Sequence, residues 1–113
     1  MILRIDFSPE ALNDIDEIRN YLFAEYGVKT SKDNLKKEMK SIRSLGQFPL
    51  QGSSIWERYG ISSDYRYLYT NHNYVFYRIE NDAVKVIRIL DARRDFLNIL
   101  FGIKTQTDET NLE

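Results

Sequence analysis

Apolar positions recur along this chain with two different periods, and the change of period divides it into segments. In "ILRIDF", residues 2–7, Leu3, Ile5 and Phe7 alternate with Arg4 and Asp6, which is the pattern of a half-buried strand. From Leu12 the spacing becomes helical: Leu12, Ile15, Ile18, Leu22 and Tyr26 form one stripe, and Leu35, Met39, Ile42 and Leu45 form a second. Ser8, Pro9 and Glu10 start the first helix, with a capping hydroxyl, a proline whose missing N–H costs nothing at the first position, and a carboxylate at the positive end of the dipole. Gly27 suits its C′ position, Thr30 or Ser31 is placed to cap the second helix, and Gly46 and Pro49 end it. One strand followed by a helical hairpin is expected.

Residues 47–63 are mixed, broken by Pro49, Gly52 and Gly60, and Trp56 reads as an anchor that packs this connection onto the core. Alternation then returns in three short runs, "DYRYLYT", "YVFYRI" and "AVKVIRIL", separated by "NHN" at 71–73 and "END" at 80–82. These predict an antiparallel three-stranded meander. Asp91 is placed to cap a short closing helix that carries Phe96, Leu97, Ile99, Leu100 and Phe101, with Gly102 at its end. The expected fold class is α+β, with one domain over residues 1–102 and a polar, disordered tail over 103–113.

Composition narrows the function. The 16 basic and 17 acidic residues give a formal charge of −1, and residues 1–102 alone are close to balanced, so any polyanion would have to be held by a local patch. The chain has no cysteine, which removes disulfides, thiol nucleophiles and thiolate metal sites, and its one histidine, His72, cannot form a metal cluster alone. No cofactor or metal is expected. No run approaches the ~18 apolar residues of a membrane span, so no membrane partner and a cytoplasmic location are expected.

The basic residues fall into distinct sets. Lys29, Lys32, Lys36, Lys37, Lys40 and Arg43 lie off the apolar stripe of the second helix and read as a solvated face. In "RILDARRDF", by contrast, Arg93 and Arg94 fall in the first turn of a helix capped by Asp91, where cations are disfavoured by up to ~1 kcal/mol. Two explanations fit. Asp91 and Asp95 neutralise them locally, or the pair faces a phosphate or a partner's carboxylate, which forked guanidinium groups bind at two points. On the strands, Arg66, Arg78 and Arg88 stand among tyrosines, giving either a mixed face suited to nucleic acid or protein hot spots, or aromatic packing with arginines at its edge.

The order of elements, together with "YRYLY", "NYVFYRIEND", "VKVIRIL" and "DARRDF", resembles the RelE/ParE family of toxins from bacterial type II toxin–antitoxin systems over about residues 1–101. The resemblance implies a small sheet with the hairpin packed against it, growth inhibition, a role in plasmid or mobile element stability, and a cognate antitoxin partner through which alone operator DNA is met. RelE-like members cleave messenger RNA in the ribosome with basic residues and a tyrosine, whereas ParE-like members inhibit DNA gyrase. This chain has no lysine between Lys40 and Lys85 and no tyrosine after Tyr77, and Phe96 and Phe101 stand where a proton-transferring tyrosine is expected. "RRDF" is closer to the ParE-like branch. That reading makes gyrase the target and leaves the ribosome-dependent nuclease as the alternative. It names no catalytic residue and offers Arg66, Arg78, Arg88, Arg93, Arg94 and Asp95 as partner- or anion-binding candidates, of which Arg66, Arg94 and Asp95 match family motif positions. Arg94 and Asp95 also suit a role in pinning the closing helix.

Overall fold

The backbone N–H of Leu3 donates to the carbonyl of Gly46 at 2.8 Å, although a 36-residue helical segment lies between them. A straight helix of that length would separate its ends by about 54 Å. The segment therefore folds back on itself, as the hairpin expectation requires. The computed structural model describes residues 2–104. In it the helix α1, Pro9–Ser44, breaks at Gly27, whose φ of 84° and ψ of 179° belong to a region that essentially only glycine enters. Ser8 caps α1 as expected, accepting from Ala11 N–H at 2.9 Å. The second arm differs: the hydroxyl of Ser31 donates to the Val28 carbonyl at 3.0 Å instead of capping, and Thr30 is exposed.

The sheet has five strands in the order β1-β5-β4-β3-β2, namely β1 Arg4–Phe7, β2 Ser53–Ser54, β3 Arg66–Thr70, β4 Asn73–Glu80 and β5 Ala83–Asp91. The meander β3-β4-β5 is antiparallel, and β1 lies parallel against β5. Asn71 and His72 turn the chain between β3 and β4 with φ of 34° and 79°, the left-handed pair that a two-residue hairpin loop demands. A bulge separates the pairs Phe76↔Arg88 and Tyr77↔Val86, leaving Ile87 extra. The bulge reverses which residues face which side. Val84, Val86 and Ile89 thus share one core cluster while Leu90 joins the other, so strict alternation, which would put Val84, Val86, Arg88 and Leu90 on one face, does not hold across the bulge.

Both sheet faces are covered. On one, Ala11, Ile42 and Leu45 of the hairpin pack on Val75, Tyr77, Val84 and Val86, with Leu3, Ile5 and Phe7 joining from β1 and its lead-in. Ala11 is fully buried there, whereas Leu12, expected in the stripe, is 53% exposed. On the other face, Ile55, Phe76 and Leu90 pack with Tyr65, Tyr67, Phe96, Leu100 and Phe101. This second layer is supplied by two short helices, α2 Ile55–Tyr59 and α3 Phe96–Phe101. The mixed connection thus contains β2 and α2, and Ile55, the first residue after the Ser54 cap, is the anchor. Trp56 points outward at 57% exposure.

The closing helix is capped by Asp95, which accepts from Asn98 N–H at 3.3 Å, and not by Asp91. Pairing with Asn73 extends β5 through Asp91, which places Arg93 and Arg94 in the turn before α3, ahead of its first turn. Gly102 ends α3 with φ of 68°. The expected tail lies outside the described residues from residue 105 onward. Among the described residues no helix is long and apolar enough to cross a membrane.

Candidate functional site

The strand arginines are all engaged by groups of the chain itself. Arg66 donates to the carbonyls of Gly52 at 2.6 Å and Leu50 at 3.3 Å, and its cross-strand neighbour Tyr77 holds the same loop. The Tyr77 hydroxyl donates to the Pro49 carbonyl at 2.7 Å and accepts from Gly52 N–H at 3.1 Å. Gly52 has to be glycine, because a Cβ there would lie 2.6 Å from the Tyr67 carbonyl oxygen and 2.7 Å from the Tyr77 hydroxyl. Arg78 binds Asp64 through two nitrogens, at 2.7 and 3.0 Å, and Glu80 at 3.1 Å. Its hydrogen bonds hold the Asp64 acid below the usual carboxylate range. Arg88 grips buried Asp14 at 2.7 and 3.0 Å. The three arginines therefore brace different parts of the molecule and do not converge on one surface.

The turn after β5 is different. Asp91 accepts from Arg93 through Nε at 2.9 Å, a second guanidinium nitrogen at 3.0 Å and the backbone N–H at 2.8 Å, and these bonds lower its pKa. The Arg93 side chain is nevertheless 83% exposed. Arg94 is exposed and makes no side-chain ion pair or hydrogen bond among the described residues, so it does not pin α3. Asp95 does, through its cap. Beside Arg94 lies Tyr59, which shares a shallow depression with residues 93–97 and packs edge-on against Phe96 at 5.7 Å. The guanidinium carbon of Arg58 sits 5.1 Å from the Tyr59 ring centre, a cation–π contact. Two arginines in a turn thus stand next to an arginine-covered tyrosine, with exposed Trp56 on the same short helix.

Sequence reasoning missed Trp56, Arg58 and Tyr59 as surface residues. The run "IWERYG" contains the signal, one aliphatic residue followed by aromatic and charged ones before a glycine, but five helical residues are too few to show a period.

Arg93 also borders a second, deeper cleft of about 470 Å³. Ile18, Leu22 and Leu35 line its helical side, and the β3–β4 turn and the end of β5 close the other. Of its lining, Glu38 Oε2 accepts from the buried Thr70 Oγ1 at 2.5 Å, and the Asn71 amide donates to Asn34 Oδ1 at 3.0 Å. Burial pushes the pKa of Glu38 up against the bond from Thr70. The six cations of the second arm are all exposed on its outer side.

The family model described as ParE toxin of type II toxin-antitoxin system, parDE, matches residues 5–96. Among solved structures, the chain is similar to one from the chromosomal ParDE toxin–antitoxin system of P. aeruginosa, with a TM-score of 0.69 and 15% identity over 81% of this chain and 98% of that one. It is also similar to a chain of the toxin–antitoxin complex RelBE2 from Mycobacterium tuberculosis, with a TM-score of 0.56 and 14% identity over 80% of this chain and 99% of that one. Likeness at such low identity shows a shared fold. No curated protein matches the chain.

Proposed function

Because the chain belongs to the ParE toxin family of type II toxin–antitoxin systems, we propose that it inhibits DNA gyrase by a protein–protein contact and is neutralised by a cognate antitoxin. The observation that carries the choice of target is where the arginines go. Stabilising a phosphorane-like transition state needs cations directed at one scissile phosphate and a group free to move a proton. Arg66 and Arg88 instead hold internal carbonyls and a buried carboxylate, Arg78 is paired with the surface acids Asp64 and Glu80, and the Tyr77 hydroxyl is bound on both sides within the loop. Releasing Arg66, Arg88 or Tyr77 would leave buried or half-buried partners without donors.

Arg93, Arg94, Arg58, Tyr59 and Trp56 form an exposed set of the residue types that dominate binding energy at protein contacts. Arg94 is the residue to test first, because its guanidinium has no partner among the described residues to confuse the result. Purified protein should inhibit supercoiling by gyrase, and Arg94→Ala should weaken that inhibition about 10-fold or more while leaving the melting temperature unchanged. Full supercoiling in stoichiometric excess of folded protein would refute the target, and cleavage of ribosome-bound messenger RNA by the same sample would select the RelE-like reading.

A further inference from the structure

Glu38 is only 4% exposed and is the one buried charged side chain in the second arm of α1. Thr70 satisfies its Oε2, but Oε1 is equally withdrawn from solvent and has no hydrogen-bond partner among the described residues. The Asn73 amide lies close enough to favour the ionised acid, yet it does not meet Oε1 in hydrogen-bonding geometry. Buried acceptors are paired in the great majority of folded proteins, so an orphan oxygen on a side chain that lines a cleft points to a donor that arrives from outside.

The walls define that donor. Aliphatic side chains of both helical arms flank the approach, and Tyr21, Tyr26 and Tyr69 stand at its rim with 52%, 57% and 58% exposure. An apolar stem with a charged head suits such a passage, and exposed tyrosines favour both a cation and a protein surface. Asp91 and Arg93, also in the lining, neutralise one another, which leaves Glu38 as the acid of the lining without a cationic partner among the described residues.

We propose that this cleft is an anchor site for a protein partner that inserts a lysine or arginine side chain, its cationic head donating to Glu38 Oε1 and its stem packing on Ile18, Leu22 and Leu35. The partner is the antitoxin, so the inference rests on the antitoxin reading above. Glu38→Gln is the informative variant: its carbonyl can still accept from Thr70 while its amide places a donor where the orphan acceptor stood.

Two titrations test this on the full chain. In the first, n-butylammonium is followed by NMR beside its neutral counterpart 1-butanol. The ammonium should shift the Thr70 and Asn73 amide signals and bind about 10-fold or more tightly than the alcohol, and Glu38→Gln should abolish the preference with no loss of melting temperature. Equal binding of the two probes, or an indifferent Glu38→Gln, would mean that Asn73 or water satisfies Oε1 and would overturn the proposal. In the second, the cognate antitoxin is titrated with each lysine and arginine of its toxin-binding segment changed to methionine. One position should couple to Glu38→Gln, so that the two changes together weaken binding little more than either alone. If the antitoxin binds wild type and Glu38→Gln equally, the anchor is wrong and the antitoxin reading stands. If it binds neither, both fall together.

Discussion

Arg88 and Asp14 lie 74 positions apart in sequence and meet in a two-pronged ion pair at 2.7 and 3.0 Å that ties the first helical arm to the bulged strand β5. Asp14 also accepts from Ile89 N–H at 2.9 Å, so one buried carboxylate satisfies three donors where β1 has ended and β5 would otherwise present an open edge. The Ser8 hydroxyl does the same for the Ile87 carbonyl at 2.7 Å.

Removing Asp14 should therefore cost more than an ordinary surface ion pair. Asp14→Leu is expected to destabilise by about 2–4 kcal/mol, below the limit for fully enclosed pairs because the Arg88 side chain is 24% exposed. Arg88→Met added to Asp14→Leu should recover part of the loss, since it removes the abandoned guanidinium. Urea denaturation of the two single variants and the double variant measures the coupling.

The hairpin depends on a backbone conformation more than on space. Nothing lies within 4 Å of a Cβ built on Gly27, yet its φ of 84° with ψ of 179° strains any other residue. Gly27→Ala should cost about 1–3 kcal/mol, whereas Gly60→Ala, in the milder left-handed region with φ of 70° and ψ of 15°, should cost about 1 kcal/mol. Equal losses at the two positions would show that the reversal at Gly27 does not need its geometry.

Tyr77 tests the loop clamp beside Arg66. Tyr77→Phe leaves the Pro49 carbonyl and Gly52 N–H without their partner and should destabilise by about 1–3 kcal/mol, while Tyr69→Phe at an exposed ring should change little. Thermal melts of the two variants make the comparison.

Acid should weaken the β1–β5 edge in a defined window. Hydrogen bonds from Arg4 and Lys85 hold the Asp6 acid down from 3.8 to about 2. A carboxylate with a depressed folded-state pKa contributes stability that is complete above its unfolded value and is lost as pH falls through the folded one. Wild type should thus lose stability between about pH 4 and pH 2, and Asp6→Asn should show a shallower loss over that window. Asp64 and Asp91 are lowered too, so the slope should shrink and not vanish.

Local signals in the sequence foretold most of the architecture, and the exceptions have physical reasons. Ser8-Pro9, Gly27 and Gly102 act within a turn of backbone, and the alternation of Leu3, Ile5 and Phe7 needs only the pleat. The bulge at Ile87 was not legible, because an extra residue in a strand leaves composition unchanged and reveals itself only by which residues pair. Two aspartates bracket the arginine pair, and pairing of Asp91 with Asn73 across the sheet decides that Asp95 makes the cap. Trp56 misled by its size: the Ser54 cap turns Ile55 inward, and a five-residue helix has no stripe to read. The strand arginines stood out by charge, but Asp14, Asp64 and the loop carbonyls that engage them arrive from distant segments, a tertiary fact outside any local pattern.

The most direct test of the central claim is pulse labelling in bacteria shortly after the protein is induced without its antitoxin, with DNA and protein synthesis followed in one culture. A gyrase inhibitor should make DNA synthesis fall first, with broken chromosomes, and Arg94→Ala should delay that fall. Protein synthesis falling first, with DNA synthesis and chromosomes intact, would contradict the account.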